Sequence, residues 1–230
     1  MFCIFTPYGS LVLRRRTIIY RQTTPEKQIF MSKNDLLILA CSPRKGGNSD
    51  YAALSVFREA AELGFDPDLL YLRDYHVLPC AGCRKCSLSE DFSCILDSKD
   101  EAEFLLSRIS KSRVVCFCSP IFFYHLPAGL KCLIDRGQSY YERWARVGSQ
   151  DKTGKALCVL VAGRKKGDAL FKGSLLTLKY FFDPFNLQVS DLCLRGQDET
   201  DDLKKDSAAC AMIEKFVRSE LGGDKCCPRF

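Results

Sequence analysis

At 230 residues, with 47% hydrophobic and 27% charged residues, the chain can bury one substantial core and reads as an ordinary single domain. Its longest apolar runs reach only six or seven residues, far short of the roughly 20 a membrane span needs, so no span is expected. The net charge of +6 suggests a nucleic-acid partner until it is apportioned: Arg14, Arg15, Arg16, Arg21 and Lys27 face Glu26 alone in the first 30 residues, a net +4, which leaves +2 for the other 200 and no basic patch for nucleic acid.

That first segment places its apolar stretch before its arginines, the reverse of a secretory signal, and has no small-residue cleavage site. The functional chain is expected to start at Met31, with residues 1–30 a disordered or mis-assigned extension, a basic membrane-surface segment being the alternative, and residues 223–230 a tail. Fourteen cysteines would fit a disulfide scaffold, but Cys41, Cys116, Cys118, Cys132, Cys158, Cys193 and Cys210 are scattered through apolar runs where a free thiol packs as a small hydrophobe. A reducing, cytoplasmic compartment is the expectation.

From Met31 onward, strand-like and helix-like patterns alternate. "LLILA" (36–40) is a short apolar run; "SDYAALSVFREAAELG" (49–64) then sets Ala53, Val56, Phe57, Ala60 and Leu63 on one helical face, with Gly64 as the stop. "LLYL" (69–72), "VVCFC" (114–118) and "ALCVLV" (156–161) are further runs, uniformly apolar as in a parallel sheet covered on both faces. Pro127 opens a helix with Leu130, Leu133 and Ile134 inward, "LLTLKYFF" (175–182) gives another, and "LQVSDL" (187–192) alternates like an edge strand. A last helix runs from about Thr200 to Leu221, with Leu203, Cys210, Ile213, Val217 and Leu221 facing inward. Five strands alternating with helices predict a doubly wound α/β sandwich of three layers around a parallel sheet.

Such sheets bind ligands beyond the carboxyl ends of their strands, where the strand order reverses. After strand one, "CSPRKGGNS" (41–49) has neither the glycine pattern of a dinucleotide loop nor that of a nucleoside triphosphate loop. It offers Ser42, Arg44, Asn48, Ser49 and flexible backbone at Gly46 and Gly47, converging on a helix N-terminus where one monophosphate would fit; a solvated capping loop is the alternative. After strand three, Pro120, Ile121, Phe122, Phe123 and Tyr124 give a stiff turn with aromatic faces suited to a flat heterocycle, though Phe122 or Phe123 taken alone reads better as core.

"SPRKGGNS", "SPIFFYHLPAGLKCLIDR" and, between them, "PCAGCRKC" resemble the flavodoxin-like NAD(P)H-dependent FMN reductase family, over roughly residues 35–195. The pattern of Cys80, Cys83, Cys86 and Cys94 more narrowly resembles the iron-sulfur flavoproteins. The resemblance implies a flavodoxin-like five-stranded fold, FMN phosphate contacts from Ser42, Arg44, Asn48 and Ser49, and a ring lying against Pro120, Ile121, Phe122 and Phe123. It implies a third contact at Ala162, Gly163 and Arg164. Two departures stand out: Cys41 replaces a usual Gly, and Gly163 is followed by basic residues instead of a glycine cluster.

Three cysteines at two-residue spacing with a fourth farther on suit a 4Fe-4S cluster, with Pro79 and Gly82 favouring a tight wrap and Arg84 and Lys85 offsetting its charge. Structural zinc, a thiol–disulfide pair and unligated thiols are the alternatives. His76 and His125 have no partner at ligand or triad spacing; His125 sits where a ring contact is conceivable, and Asp135 with Arg136 is read as a structural pair. No nucleophile or paired-carboxylate motif stands out, so no side chain is assigned as catalytic.

The expected function is an FMN-dependent oxidoreductase or electron-transfer flavoprotein coupling flavin to a 4Fe-4S cluster, with NAD(P)H as a substrate and ferredoxin or quinone as partner. A cluster-free NAD(P)H:FMN or quinone reductase is the alternative; a non-enzymatic electron-transfer or metal-binding module is the third. The resemblance also implies a homodimer or homotetramer in which a neighbouring chain covers the flavin, with "SYYERWARV" (139–147) as a candidate contact beside ordinary surface packing.

Overall fold

The computed structural model describes residues 35–148 and 151–222; the expectations placed on residues 1–30 and 223–230 lie outside them. Among the described residues, five parallel strands form one sheet in the order β2-β1-β3-β4-β5. The strands are β1 Asp35–Ala40, β2 Asp66–Tyr71, β3 Val114–Pro120, β4 Gly154–Ala162 and β5 Leu187–Arg195. β1 pairs with β2 on one side and β3 on the other, so the strand order reverses at β1/β3, as expected for the doubly wound flavodoxin-like fold.

The period-two geometry of a strand divides β1 between two cores. Leu36, Ile38 and Ala40 face a layer formed by α1 (Asn48–Glu62) and, at the far end of the chain, the long last helix. Leu37 and Leu39 face the opposite layer, which contains Leu105, Leu106 and Ile109 of a helix spanning Ala102–Lys111, Leu130 and Leu133 of a helix spanning Ala128–Arg136, and Leu178 and Phe182 of one spanning Lys172–Phe182. In chain order the helices after α1 are α2 (Lys85–Leu88), α3 (Ala102–Lys111), α4 (Ala128–Arg136), α5 (Gln138–Val147), α6 (Lys172–Phe182), α7 (Asp202–Lys205) and α8 (Ser207–Leu221). No helix among the described residues is long and apolar enough to cross a membrane.

Some expectations shift. The run at 69–72 belongs to a strand that starts at Asp66 and ends at Tyr71, after which Leu72–Asp74 tighten into a 3-10 turn. The single terminal helix is two, α7 and α8, because the Asp206 carboxylate accepts the Ala209 amide (3.0 Å) and caps a new helix start. Cys210 is only half-buried, as are Cys132 and Cys193, whereas Cys41, Cys116, Cys118 and Cys158 are buried as expected. α5 takes up the aromatic-rich segment and folds part of it onto this chain: the Tyr140 ring lies 5.1 Å from that of Phe185.

Phe182 is fully buried and packs edge-on against Phe117 of the central sheet, with ring centroids 4.9 Å apart. Phe182→Ala should destabilise the chain by about 3–5 kcal/mol in urea unfolding; a loss below about 1 kcal/mol would mean that this layer is not packed as described.

Candidate functional site

The carboxyl ends of β1, β3 and β4 lie side by side and carry three loops. The first leaves the sheet at Cys41, whose amide still donates to Cys118 of β3 (2.8 Å). Ser42 then folds the chain back on itself: its hydroxyl accepts the Arg44 amide and donates to the Arg44 carbonyl, both at 3.1 Å. Gly46 takes φ +73, a left-handed conformation that glycine adopts without strain. A Cβ at Gly47 would lie 3.1 Å from Arg44 Nε, so the exposed guanidinium lies back over the loop at the start of α1. The Asp50 and Tyr51 amides reach back to the Gly47 carbonyl (3.0 and 3.1 Å), which leaves the amides of Asn48 and Ser49 at the positive end of the helix dipole.

A buried ion pair absent from the sequence reading holds this loop. Asp50, 4% exposed, accepts the Gly46 amide on one carboxylate oxygen and Arg73 Nη1 on the other, both at 2.8 Å, while Arg73 also reaches the Ser42 carbonyl (3.3 Å). Its signals were an acid in the first turn of a helix and an arginine just past β2. Ser49 is buried. The Asn48 side chain is turned away from the loop: Nδ2 donates to the carbonyls of Gln197 (3.0 Å) and Glu199 (2.8 Å), and Oδ1 accepts the Leu203 amide (3.1 Å). Asn48 therefore offers a ligand its backbone amide, while its side chain ties the loop to the segment after β5.

The second loop is a two-residue turn. Phe122 and His125 exchange backbone hydrogen bonds (2.8 and 2.9 Å), and both residues between them have positive φ, Phe123 at 47° and Tyr124 at 63°. Turns of this kind favour Asn-Gly; two aromatic residues there hold strain. Phe123 stands wholly in solvent, and Phe122 and Tyr124 are also exposed, so Phe122 and Phe123 are not core residues. Pro120 and Ile121 are half-buried beneath them. His125 turns towards α6, with Nε2 3.3 Å from Thr177 Oγ1.

The third loop leaves β4 at buried Ala162, whose carbonyl accepts the Gln197 amide (3.0 Å). A Cβ at Gly163 would lie against the Asp198 side chain, which would have to move aside to admit one. Arg164 crosses to the aromatic turn, donating to the Tyr124 hydroxyl (3.1 Å) and stacking over its ring. Three loops expected from the sequence thus meet at one sheet edge.

The cysteine segment lies between β2 and α3. Gly82 and Arg84 take left-handed φ values of 63° and 59°, and the Arg84 carbonyl receives the Ser87 amide and hydroxyl, starting the single turn of α2. Cys80, Cys83, Cys86 and Cys94 line one cavity of about 400 Å³ together with Arg136, Ser139 and Glu142. Burial, followed by the Glu142 carboxylate, raises the Cys86 thiol above its ordinary pKa. Among the described residues, no three ligating side chains converge on a single point. Phe92, at φ 60°, lies beneath the guanidinium groups of Arg143 and Arg146 from α5, which pins the outer part of the segment.

Arg136 does not pair with Asp135, which binds Lys131 one turn back (2.5 Å). Its guanidinium meets Asp97 (3.1 Å) and Asp100 instead, an arrangement that spacing could not reveal because the partners lie more than 30 residues away. Burial alone would raise the Asp100 carboxyl, but the Leu78 amide, Arg136 and the Ala102 amide hold it below its usual pKa. Burial opposes the Arg136 charge, yet the Asp100 bond, the Cys94 sulfur and the carboxylates raise its pKa further above the usual value.

The chain is 30% identical over 118 residues to an iron-sulfur flavoprotein of Methanosarcina thermophila, covering 51% of this chain and 59% of that protein. It is 32% identical over 121 residues to one of Methanocaldococcus jannaschii, covering 51% and 58%. The matches thus span under two thirds of the length of these relatives. A FMN-dependent NADH-azoreductase from Bacillus anthracis, solved in complex with FMN, shares the fold at a TM-score of 0.62 and 14% identity, covering 82% of this chain and all of that one. A family model described as NADPH-dependent FMN reductase matches residues 35–180, and the chain belongs to that family.

Proposed function

We propose that the chain is an FMN-dependent oxidoreductase that holds FMN at the carboxyl edge of β1, β3 and β4 and couples it to a 4Fe-4S cluster on Cys80, Cys83, Cys86 and Cys94. The observation that carries the reading is the course of α4: it begins beside the aromatic turn, and its last residues, Asp135 and Arg136, line the cysteine cavity. Nine helical residues span about 13 Å, so one rigid element separates the two candidate centres.

The residues fit both groups. Ser42, Arg44, Ser49 and the first amides of α1 would hold the phosphate, with Asp50 and Arg73 keeping the loop in shape beneath it. Ile121, Phe122 and Phe123 would lie against the ring, with Ala162 and Gly163 at its other edge. Four thiols lining one cavity are the donor set that a 4Fe-4S cluster takes, one thiolate per iron. When bound, FMN supplies hydride acceptance and one-electron release, and a cluster supplies a one-electron store. The chain's part would be to bind and orient these groups; no side chain has to move a proton in hydride transfer. The names of the relatives support the cluster, and the family supports NAD(P)H as electron source.

Anaerobic purification followed by flavin and metal analysis tests the proposal: one FMN and about four irons per chain are expected. Flavin without iron, with rapid NAD(P)H oxidation, would point to a cluster-free reductase, and zinc without flavin would overturn both.

Arg44 offers the phosphate a charge-assisted contact of about 1.5–3 kcal/mol, so Arg44→Ala should weaken FMN binding about tenfold to a hundredfold in fluorescence titration, with apo stability unchanged. Phe123 holds about 1 kcal/mol of backbone strain for the sake of its exposed ring. Phe123→Gly should therefore raise the apo Tm by about 2–4 °C while weakening FMN binding; unchanged affinity would remove Phe123 from the flavin site.

A further inference from the structure

The cysteine segment is closed at both ends by one guanidinium. Arg136, the last residue of α4, is 2% exposed. Nη1 donates to Asp100 Oδ2 and reaches the Leu78 carbonyl (3.5 Å), and Nη2 donates to Asp97 Oδ1 (3.1 Å). The carboxylates extend the grip: Asp100 Oδ2 accepts the Leu78 amide (2.8 Å), and Asp97 Oδ2 accepts the Cys94 amide (2.9 Å). Leu78 lies two residues before Cys80, and Asp97 three residues after Cys94. Both ends of the segment are thereby fastened to the helix that starts at the aromatic turn.

This clasp accounts for Nη1 and Nη2 but not for Nε. That atom is buried and has no acceptor, although Arg136 lines the same cavity as the four thiols. A buried donor on a cation is costly to leave unpaired, and a sulfur ligand in the cavity is the acceptor the surroundings offer.

We propose that Arg136 is the positioning residue of the cysteine cage: its Nη atoms hold the segment closed through Asp97 and Asp100, and its Nε–H donates to a sulfur of the cluster. The second half rests on the cluster reading above. A cation bonded to cluster sulfur stabilises the reduced state, which carries one more negative charge, and so raises the reduction potential.

The test uses the full chain with Arg136→Met, Arg136→Lys and Asp97→Asn. In the apo protein, trypsin should cut after Arg84 or Lys85 about fivefold faster in Arg136→Met and Asp97→Asn than in the unsubstituted chain, at unchanged circular dichroism. After anaerobic reconstitution with iron and sulfide, Arg136→Met should shift the reduction equilibrium about tenfold towards the oxidised cluster, 59 mV for a one-electron step. Arg136→Lys, which keeps the charge without the fork or Nε–H, should recover part of that shift. If Arg136→Met does not fold, Arg136→Lys and Asp97→Asn serve for the same two measurements. Equal trypsin rates overturn the clasp, and equal potentials overturn the sulfur bond. An unsubstituted chain that takes up no iron overturns the cluster reading and the sulfur bond together, while the apo trypsin rates still judge the clasp separately.

Discussion

Three backbone hydrogen bonds just past the strand ends set the level at which the loops of the candidate site begin. The Cys41 amide reaches Cys118, the Ile121 amide reaches Val161 (2.9 Å), and the Gln197 amide reaches Ala162. The bonds extend the β1–β3, β3–β4 and β4–β5 ladders in turn, so the chain leaves β1, β3 and β5 at a common rim with the end of β4. The reversal of strand order at β1/β3 then opens the crevice in which those loops face one another.

The loops are held by buried charge as well as by ladder bonds. Asp50 with Arg73, and Arg136 with two aspartates, sit where desolvation makes an unpaired ion expensive, and each pair is completed by backbone donors or acceptors. Removing one partner would strand the other, which gives these pairs a directional role: they specify one loop shape. The aromatic turn works oppositely. It keeps two non-glycine residues at positive φ, where Asn-Gly would hold the same turn with less strain.

Local pattern made much of this legible in the sequence. The uniformly apolar runs read as parallel strands because burial on both faces leaves no room for alternation, and the helix at 48–62 was visible from Ala53, Val56 and Ala60 at helical spacing. The loop after β1 was legible as a place, through its serines, glycines and helix start. What its side chains touch was not: Asn48 binds carbonyls about 150 residues away, and Arg136 bypasses its neighbour Asp135 for carboxylates on another segment. Long-range pairings of this sort leave no periodicity. The division of the last helix turned on one competing hydrogen bond at Asp206, a local cue outweighed by the apolar stripe running through it.

Asn48 also imposes an order of events on the life of the chain. Its three hydrogen bonds run to Gln197, Glu199 and Leu203, so the loop beginning at Cys41 lacks this anchor until the segment after β5 has left the ribosome. A nascent chain can pair β1, β2 and β3 well before then, yet the loop after β1 remains without this fastening. A chain cut short before Leu203 would keep its sheet strands while losing one of the bonds that fix the loop at Asn48.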